Sequence, residues 1–316
     1  MVVINFVIKH IKILLKYMSF NKLTNNKLKK IVHVYQLNYV NGKSPGLGDF
    51  LRGSFCFMQL SKLYNLDFDI DFSNHPMSRY LENVQCTDGI DYNNIEIYYD
   101  INLSREKLIE FEKTEIKNVD PKFINNTIDL LNGQNCEVFG FLSNAYPFYN
   151  KYTDEGKHFM KSKLEPNDVM KSYVEQSLDE LGLNKKGYGV IHIRTGDSNI
   201  YDSNNTISND FFNKIKTILN SLILTERRYL IISDSNILKN MLKSYPNFYI
   251  LIKPIAHLGG EAIQNTEDNS VMNTMLDFYL MSHSNTIMSL SVYGHVSGFS
   301  KYCSAIYGIP FKFIKI

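Results

Sequence analysis

Gly187-Tyr-Gly-Val-Ile-His-Ile-Arg-Thr-Gly-Asp197 is the stretch that decides the fold. Its apolar run, Tyr188 to Ile193, suits a short strand buried on both faces, as in a parallel sheet. It ends in His192-x-Arg194-x-Gly196-Asp197, so three polar groups fall at a strand-to-loop edge. Open α/β sheets bind ligands at that edge. Arginine is scarce in this chain, six residues against 28 lysines. A guanidinium here offers a rigid donor fork suited to phosphate. The competing reading is a core strand with an ordinary polar end.

Strand and helix patterns alternate outward from this point. Before it come strands over Lys30–Leu37, Asp67–Phe72, Asn94–Tyr99 and Cys136–Leu142. Helices are expected over Asp49–Tyr64, Lys122–Leu131 and Asp168–Leu183. After it come helices over Ser208–Leu222, Asn236–Ser244 and Ser270–Met281, and a largely helical Tyr293–Tyr307. The strands between them are Arg228–Ser233, Phe248–Ile252 and Asn285–Leu290. This order predicts an α/β protein with parallel sheets covered by helices. Thr153–Asn167 is charged and irregular, which makes it the expected domain boundary. The expected architecture is two Rossmann-like lobes, residues 30–165 and 166–316, with a ligand cleft between them and a basic segment, residues 1–29, in front.

The chain is long enough for two domains, and its apolar and aromatic content indicates a globular protein. A net charge of +2 gives no sign of a nucleic-acid partner. The charge is uneven: residues 1–48 carry +8 and the remainder −6. Cys56, Cys86, Cys136 and Cys303 form no CxxC motif and read as buried free thiols of a reducing compartment, so a cytoplasmic location is expected. Met1 to Met18 forms an amphipathic pattern in which Asn5, Lys9, Lys12 and Lys16 share one stripe. Charges in mid-segment suit it poorly to spanning a bilayer. It is expected either to lie peripherally on an anionic membrane surface or to pack on the domain. An upstream start codon, with Met18 the true start, is a further alternative. Abundant Lys, Asn, Ile and Tyr without Trp suggests an AT-rich genome, such as that of a large virus or a protist.

Three blocks, in this order, resemble the GT-B fucosyltransferases that use GDP-fucose, the α-1,2, α-1,6 and protein O-fucosyltransferase group. The first is Pro45-Gly-Leu-Gly-Asp-Phe-Leu-Arg-Gly53, a glycine loop opening a helix, with Asp49 where the family has Asn. The second is His192-Ile-Arg-Thr-Gly-Asp197, similar to His-x-Arg-Arg-x-Asp, with Thr195 in place of the second arginine. The third is Ser233-Asp234 followed by the serine-rich Ser289-Leu-Ser-Val-Tyr-Gly-His-Val-Ser-Gly298. The resemblance spans roughly residues 30–310.

The resemblance implies an inverting, metal-independent transfer of fucose from GDP-fucose to a hydroxyl of a glycan or glycoprotein. The first lobe would face the acceptor and the second the donor, with no cofactor beyond the GDP-sugar. Arg194 would contact the β-phosphate, and Gly46 and Gly48 would let backbone approach the phosphates. Asp234 would accept from guanine or ribose, and Ser289 and Ser291 would donate to phosphate. His192 would orient the loop and touch the donor, and Arg52 would add a charge from the first lobe. His257 would line the donor cleft; His295 is a weaker candidate. Asp49 and Asp197 are the candidate bases, against a helix N-cap for Asp49 and a turn cap for Asp197. His75 and Arg79 are candidates for the acceptor side.

Three alternatives stand beside this. Asp67, Asp69 and Asp71 form Asp-x-Asp pairs that suggest a metal-dependent transferase, with Asp71 the plausible ligand. The donor is alternatively GDP-mannose or a UDP-sugar. The protein is otherwise a non-catalytic nucleotide-sugar or glycan binder on the same scaffold, which Thr195 and Asp49 favour. No Gly-x-Ser-x-Gly, Walker or HExxH motif occurs, and Gly46-x-Gly48 lacks the third glycine of a dinucleotide fingerprint.

Overall fold

A computed structural model describes residues 22–40, 42–98, 121–147, 152–196, 207–223, 227–259, 268–293 and 295–316. Residues 1–18 and Asp197 fall outside that set. The first sheet holds β1 (Lys30–Val34), β4 (Asp67–Asp71), β5 (Glu96–Tyr98) and β6 (Val138–Ser143). Its order is β4-β1-β6-β5 and every pairing is parallel. A small antiparallel pair, β2 (Asn38–Tyr39) and β3 (Gly42–Lys43), sits beside it. The second sheet holds β7 (Gly189–Arg194), β8 (Tyr229–Ser233), β9 (Phe248–Ile250), β10 (Thr286–Ser291) and β11 (Phe311–Lys315). Its order is β11-β10-β7-β8-β9, also all parallel.

In each sheet the first strand is internal, and the winding reverses beside it, between β1 and β6 and between β7 and β10. Such a switch point opens a crevice at the carboxyl ends of the strands. β7 is apolar because it is covered on both faces: Val190 packs into one core cluster, Ile191 and Ile193 into another. His192 shares the Val190 face by strand alternation.

The helices are α1 (Leu47–Tyr64), α2 (Pro121–Asn132), α3 (Asp154–Lys163), α4 (Asp168–Glu180), α5 (Asn209–Ile223), α6 (Asn236–Leu242), α7 (Asp268–Ser282) and α8 (Gly298–Tyr307). α1 is buried nearly all round, which places it in the interior. Gly53 lets it press on β6, where an added Cβ would meet the Ser143 carbonyl oxygen at 1.9 Å. The largest apolar cluster joins residues of both halves, from Tyr35 and Phe50 to Tyr279 and Tyr302. The two sheets are therefore welded through α1, α7 and α8.

Four expectations are corrected. Residues 153–167 are not irregular, since they contain α3. Thr153 accepts from the Gly156 amide, Asp154 and Glu155 occupy the first turn, and Lys161 and Lys163 the last. Only Gly156 and Met160 of this helix are buried, too little apolar periodicity to read. The stretch from Tyr293 becomes helical only at Gly298. β11 was not foreseen; it adds an edge strand beside β10. Finally, all four cysteines are free, but only Cys56 and Cys303 are buried, while Cys86 is exposed.

Candidate functional site

A cavity of about 430 Å³ opens at the carboxyl ends of β7 and β8 and is walled by the starts of α1 and α8. Gly46, Gly48, Asp49, Arg52, His192, Arg194, Asp234 and His257 all line it. Eight residues drawn from segments 200 positions apart thus meet in one place.

Arg194 ends β7 and is clamped by Asp234 at 2.5 Å. Asp234 also accepts from the Thr195 amide (2.8 Å), the Thr195 hydroxyl (2.8 Å) and the Gly196 amide (3.2 Å). Gly196 has φ of +122°, a conformation that favours glycine and turns its N–H to the carboxylate. Asp234 is therefore the organiser of the loop after β7. Thr195 is buried and uses its hydroxyl on this clamp.

His192 is nearly inaccessible, and Ser300 Oγ lies 3.0 Å from its Nδ1. Ser300 Oγ in turn lies 3.1 Å from Ser289 Oγ, so the ring is tied to a pair of buried hydroxyls. Burial lowers the His192 pKa to about 4, so the ring is neutral. Ser289 and Ser291 do not line the cavity. Both are fully buried, Ser289 in this hydroxyl relay and Ser291 accepting from the Tyr293 amide. Strand alternation turns both to one face of β10, and the expected phosphate contact is corrected to a supporting one.

Asp49 is not the N-cap of α1. Gly46 occupies that position, without any side-chain cap. Asp49 lies one turn in and pairs with Arg52 at 2.7 Å. Arg52 donates to the Asn144 carbonyl (2.6 Å) and the Tyr146 hydroxyl (3.2 Å), and its guanidinium lies over the Tyr146 ring, 4.1 Å from the centroid. The starts of α1 and α8 touch: an added Cβ on Gly48 would stand 2.4 Å from Gly298 C and Phe299 N. Ser297, the N-cap of α8, likewise makes no side-chain cap bond. Two helix N-termini without side-chain caps thus converge on one cavity, each a favourable place for an anion.

The His257–Gly259 segment is seated by the first lobe. The Leu258 carbonyl accepts from the Tyr35 hydroxyl and from His75 Nε2 (3.1 Å). The Tyr35 and His75 rings stack at 4.0 Å. His75 is thereby a lobe-to-lobe tie, buried away from the cavity. His295 lines the cavity and stacks on Tyr293.

Residues not foreseen also line the cavity: Tyr146, Lys301 and Asp277. Burial raises the Asp277 pKa to about 6, against the opposing charges of Lys239 and Lys253. A signal existed, since Asp277 interrupts the apolar run Met275–Leu280 of α7. The Asp-x-Asp carboxylates are elsewhere and already engaged. Asp69 bridges Lys30 and Lys163, and Asp71 accepts from Ser73, Thr87 and Tyr92. Among the described residues, no group of three or more His, Cys, Asp or Glu is arranged to hold a metal ion.

Neither a protein-family model nor a curated protein matches the chain. Solved structures do match. NodZ α-1,6-fucosyltransferase of Bradyrhizobium, soaked with GDP-fucose, aligns at a TM-score of 0.50 and 11% identity, over 89% of this chain and 93% of its own. Arabidopsis thaliana FUT1, an arginine-to-lysine variant in complex with GDP, aligns at a TM-score of 0.51 and 11% identity, over 96% of this chain and 74% of its own. The chain has the GT-B fold of these fucosyltransferases. Two parallel Rossmann-like sheets with a cleft between them are what GT-B denotes, and the cavity lies in that cleft.

Proposed function

We propose that this chain is a glycosyltransferase that transfers fucose from GDP-fucose to a hydroxyl of a glycan or glycoprotein. The observation that carries the proposal is the convergence of a clamped Arg194 with the starts of α1 and α8 in one cleft. A departing nucleoside diphosphate needs that set of groups. As the bond from the anomeric carbon to the phosphate oxygen breaks, negative charge grows on the phosphates. Arg194 and the N–H groups at Gly46–Gly48 and Ser297–Gly298 are fixed in advance to meet it. Asp277 supplies a carboxylate in the same cavity, and a guanine edge presents two donors to such a group.

The acceptor hydroxyl would attack the opposite face of the sugar, inverting the carbon. Asp49 is the base of this mechanism. One of its oxygens is held by Arg52 and the side chain is 48% exposed. Asp197 stays a second candidate. Residues 166–316 would serve the donor and residues 30–165 the acceptor. Residues 1–18 would touch a membrane surface, and the location would be cytoplasmic.

A second reading, a non-catalytic nucleotide-sugar binder, draws on two observations: Asp49 is spent on Arg52 and Thr195 on Asp234. The test is donor hydrolysis across GDP-fucose, GDP-mannose and UDP-sugars, in EDTA or Mn²⁺, with wild type and Arg194→Ala. GDP release from GDP-fucose in EDTA, lost in the variant, is the expected result. Metal-dependent release from another donor would overturn the donor assignment. Binding of GDP-fucose without turnover, with acceptor glycans present, would establish the second reading.

A further inference from the structure

A second cavity, of about 460 Å³, lies in the first lobe and shares no lining residue with the cleft. Its volume falls in the range of small-molecule sites. Lys30 of β1 and Asp69 of the edge strand β4 form its floor. Lys163, the last residue of α3, and the segment 83–88 supply its walls. That segment is fixed at both ends. The Glu82 amide donates to the Glu165 carbonyl (2.8 Å), and the Thr87 amide donates to the buried Asp71 carboxylate (2.9 Å). Between these anchors Asn83 and Gln85 are exposed and line the cavity. Among the described residues their side-chain amides have no hydrogen-bond partner.

The charges of this cavity cancel. Lys30 and Lys163 pair with different oxygens of Asp69, at 2.8 and 2.5 Å, and Asp88 adds a second carboxylate. An anion would meet the two carboxylates and a cation the two ammoniums, so neither is favoured. Hydrogen-bonding capacity nevertheless remains. An ammonium has three N–H donors, and each lysine spends one on Asp69; each side-chain amide both donates and accepts. Phe72, Val84 and Val138 interrupt this polar lining with apolar surface. A neutral sugar matches both features, with hydroxyls around its rim and C–H groups across its ring faces. We propose that the cavity binds a neutral saccharide of mono- or disaccharide size, through hydrogen bonds with Lys30, Lys163, Asn83 and Gln85. Its role, to hold an outer sugar of the acceptor glycan, rests on the transferase reading above; the binding itself does not.

Cys86 supplies a reporter at the site. Its thiol is free and exposed and the residue lines the cavity, whereas Cys56 and Cys303 are buried. A bound saccharide covers the thiol, so alkylation slows by the factor 1 + [L]/Kd when only the empty site reacts. A sugar at about three times its Kd thus slows the reaction about fourfold.

The experiment is iodoacetamide alkylation of the full chain, followed at the Cys86 peptide by mass spectrometry. The probes are lactose, N-acetyllactosamine, chitobiose and mannobiose, with glucuronate and inorganic phosphate as charged comparisons. A neutral disaccharide is expected to slow Cys86 about threefold or more, equally with and without saturating GDP. N83A/Q85A is expected to melt as wild type does, to alkylate at the wild-type rate without sugar, and to lose the protection. Should that variant not fold, K163M decides in its place, and wild-type protection in it overturns the proposal. Protection by no neutral disaccharide overturns it, as does protection that survives in N83A/Q85A. Protection by glucuronate or phosphate alone overturns the ligand class, and protection abolished by GDP moves the sugar to the cleft and overturns the site. If donor turnover fails with acceptor glycans present while Cys86 is still protected, the transferase reading falls and the saccharide site stands.

Discussion

Replacing Gly48 by alanine will force α1 and α8 apart. The new Cβ would stand 2.4 Å from Gly298 C and Phe299 N, and 2.8 Å from Gly298 Cα. Ordinary carbon contacts lie at about 3.5–4.0 Å, so the helix starts must separate by about 1 Å. Every opposing atom is backbone, and no side chain can rotate away. Overpacking of this kind costs about 1–3 kcal/mol, or roughly 1.5–4.5 °C in Tm for a chain of this size. The larger effect falls on the ligand. Both displaced segments line the cavity, so the two N–H sets lose their common focus, and a 1 Å misplacement is worth about 100-fold. Scanning fluorimetry with GDP calorimetry measures both. Gly298→Ala is the internal control, since its Cβ would meet the Gly48 backbone at a milder 3.0–3.2 Å. A Gly48→Ala protein with wild-type Tm and GDP affinity, or a Gly298→Ala protein damaged more severely, would refute the reasoning.

Arg194→Lys keeps the charge but loses the planar guanidinium that donates to Asp234; GDP affinity should fall about tenfold or more, with Tm changed little, as calorimetry will check. Asp49→Asn should lower kcat by about 10²–10⁴-fold while GDP Kd stays constant; equal kcat removes Asp49 as the base. His33, His75 and His192 are held neutral by burial, with pKa values lowered to about 3, 3 and 4. Their folded values lie below the unfolded value near 6.5, so stability is complete above about pH 6.5 and drains as pH falls toward 4. Each contributes up to about 1.4 kcal/mol per pH unit, and Asp277 offsets part of this between about pH 4 and pH 6. Melts that stay flat between neutral and mildly acidic pH would contradict it.

The fold was legible where burial writes itself into sequence. β7 and β8 are mostly apolar because both faces are covered, and α1 was visible from its apolar content. α3 was hidden because it buries little, and β11 because an edge strand of alternating Lys and Phe carries a weak signal. The cleft was legible through its glycines and Arg194, which chemistry restricts to few places. Roles were less so. A serine at the end of a strand reads alike whether it faces a ligand or a relay behind it, and alternation sent Ser289 and Ser291 behind. Asp277 was missed because it reads as one polar residue in an apolar stretch of helix, and only its place on the cavity wall gives it a meaning.

The tie across the lobes has a consequence for how such a chain can drift. Tyr35 and His75 grip the main chain of residue 258, not its side chain. Residue 258 is thus free to vary among apolar types, while the two rings that hold it are not interchangeable with others of similar size. In diverged copies of this protein, the signature of a working cleft would be a fixed tyrosine and histidine in one half facing a variable position in the other. A search for paired substitutions would pass over that coupling, because one of its partners is a carbonyl that every residue carries.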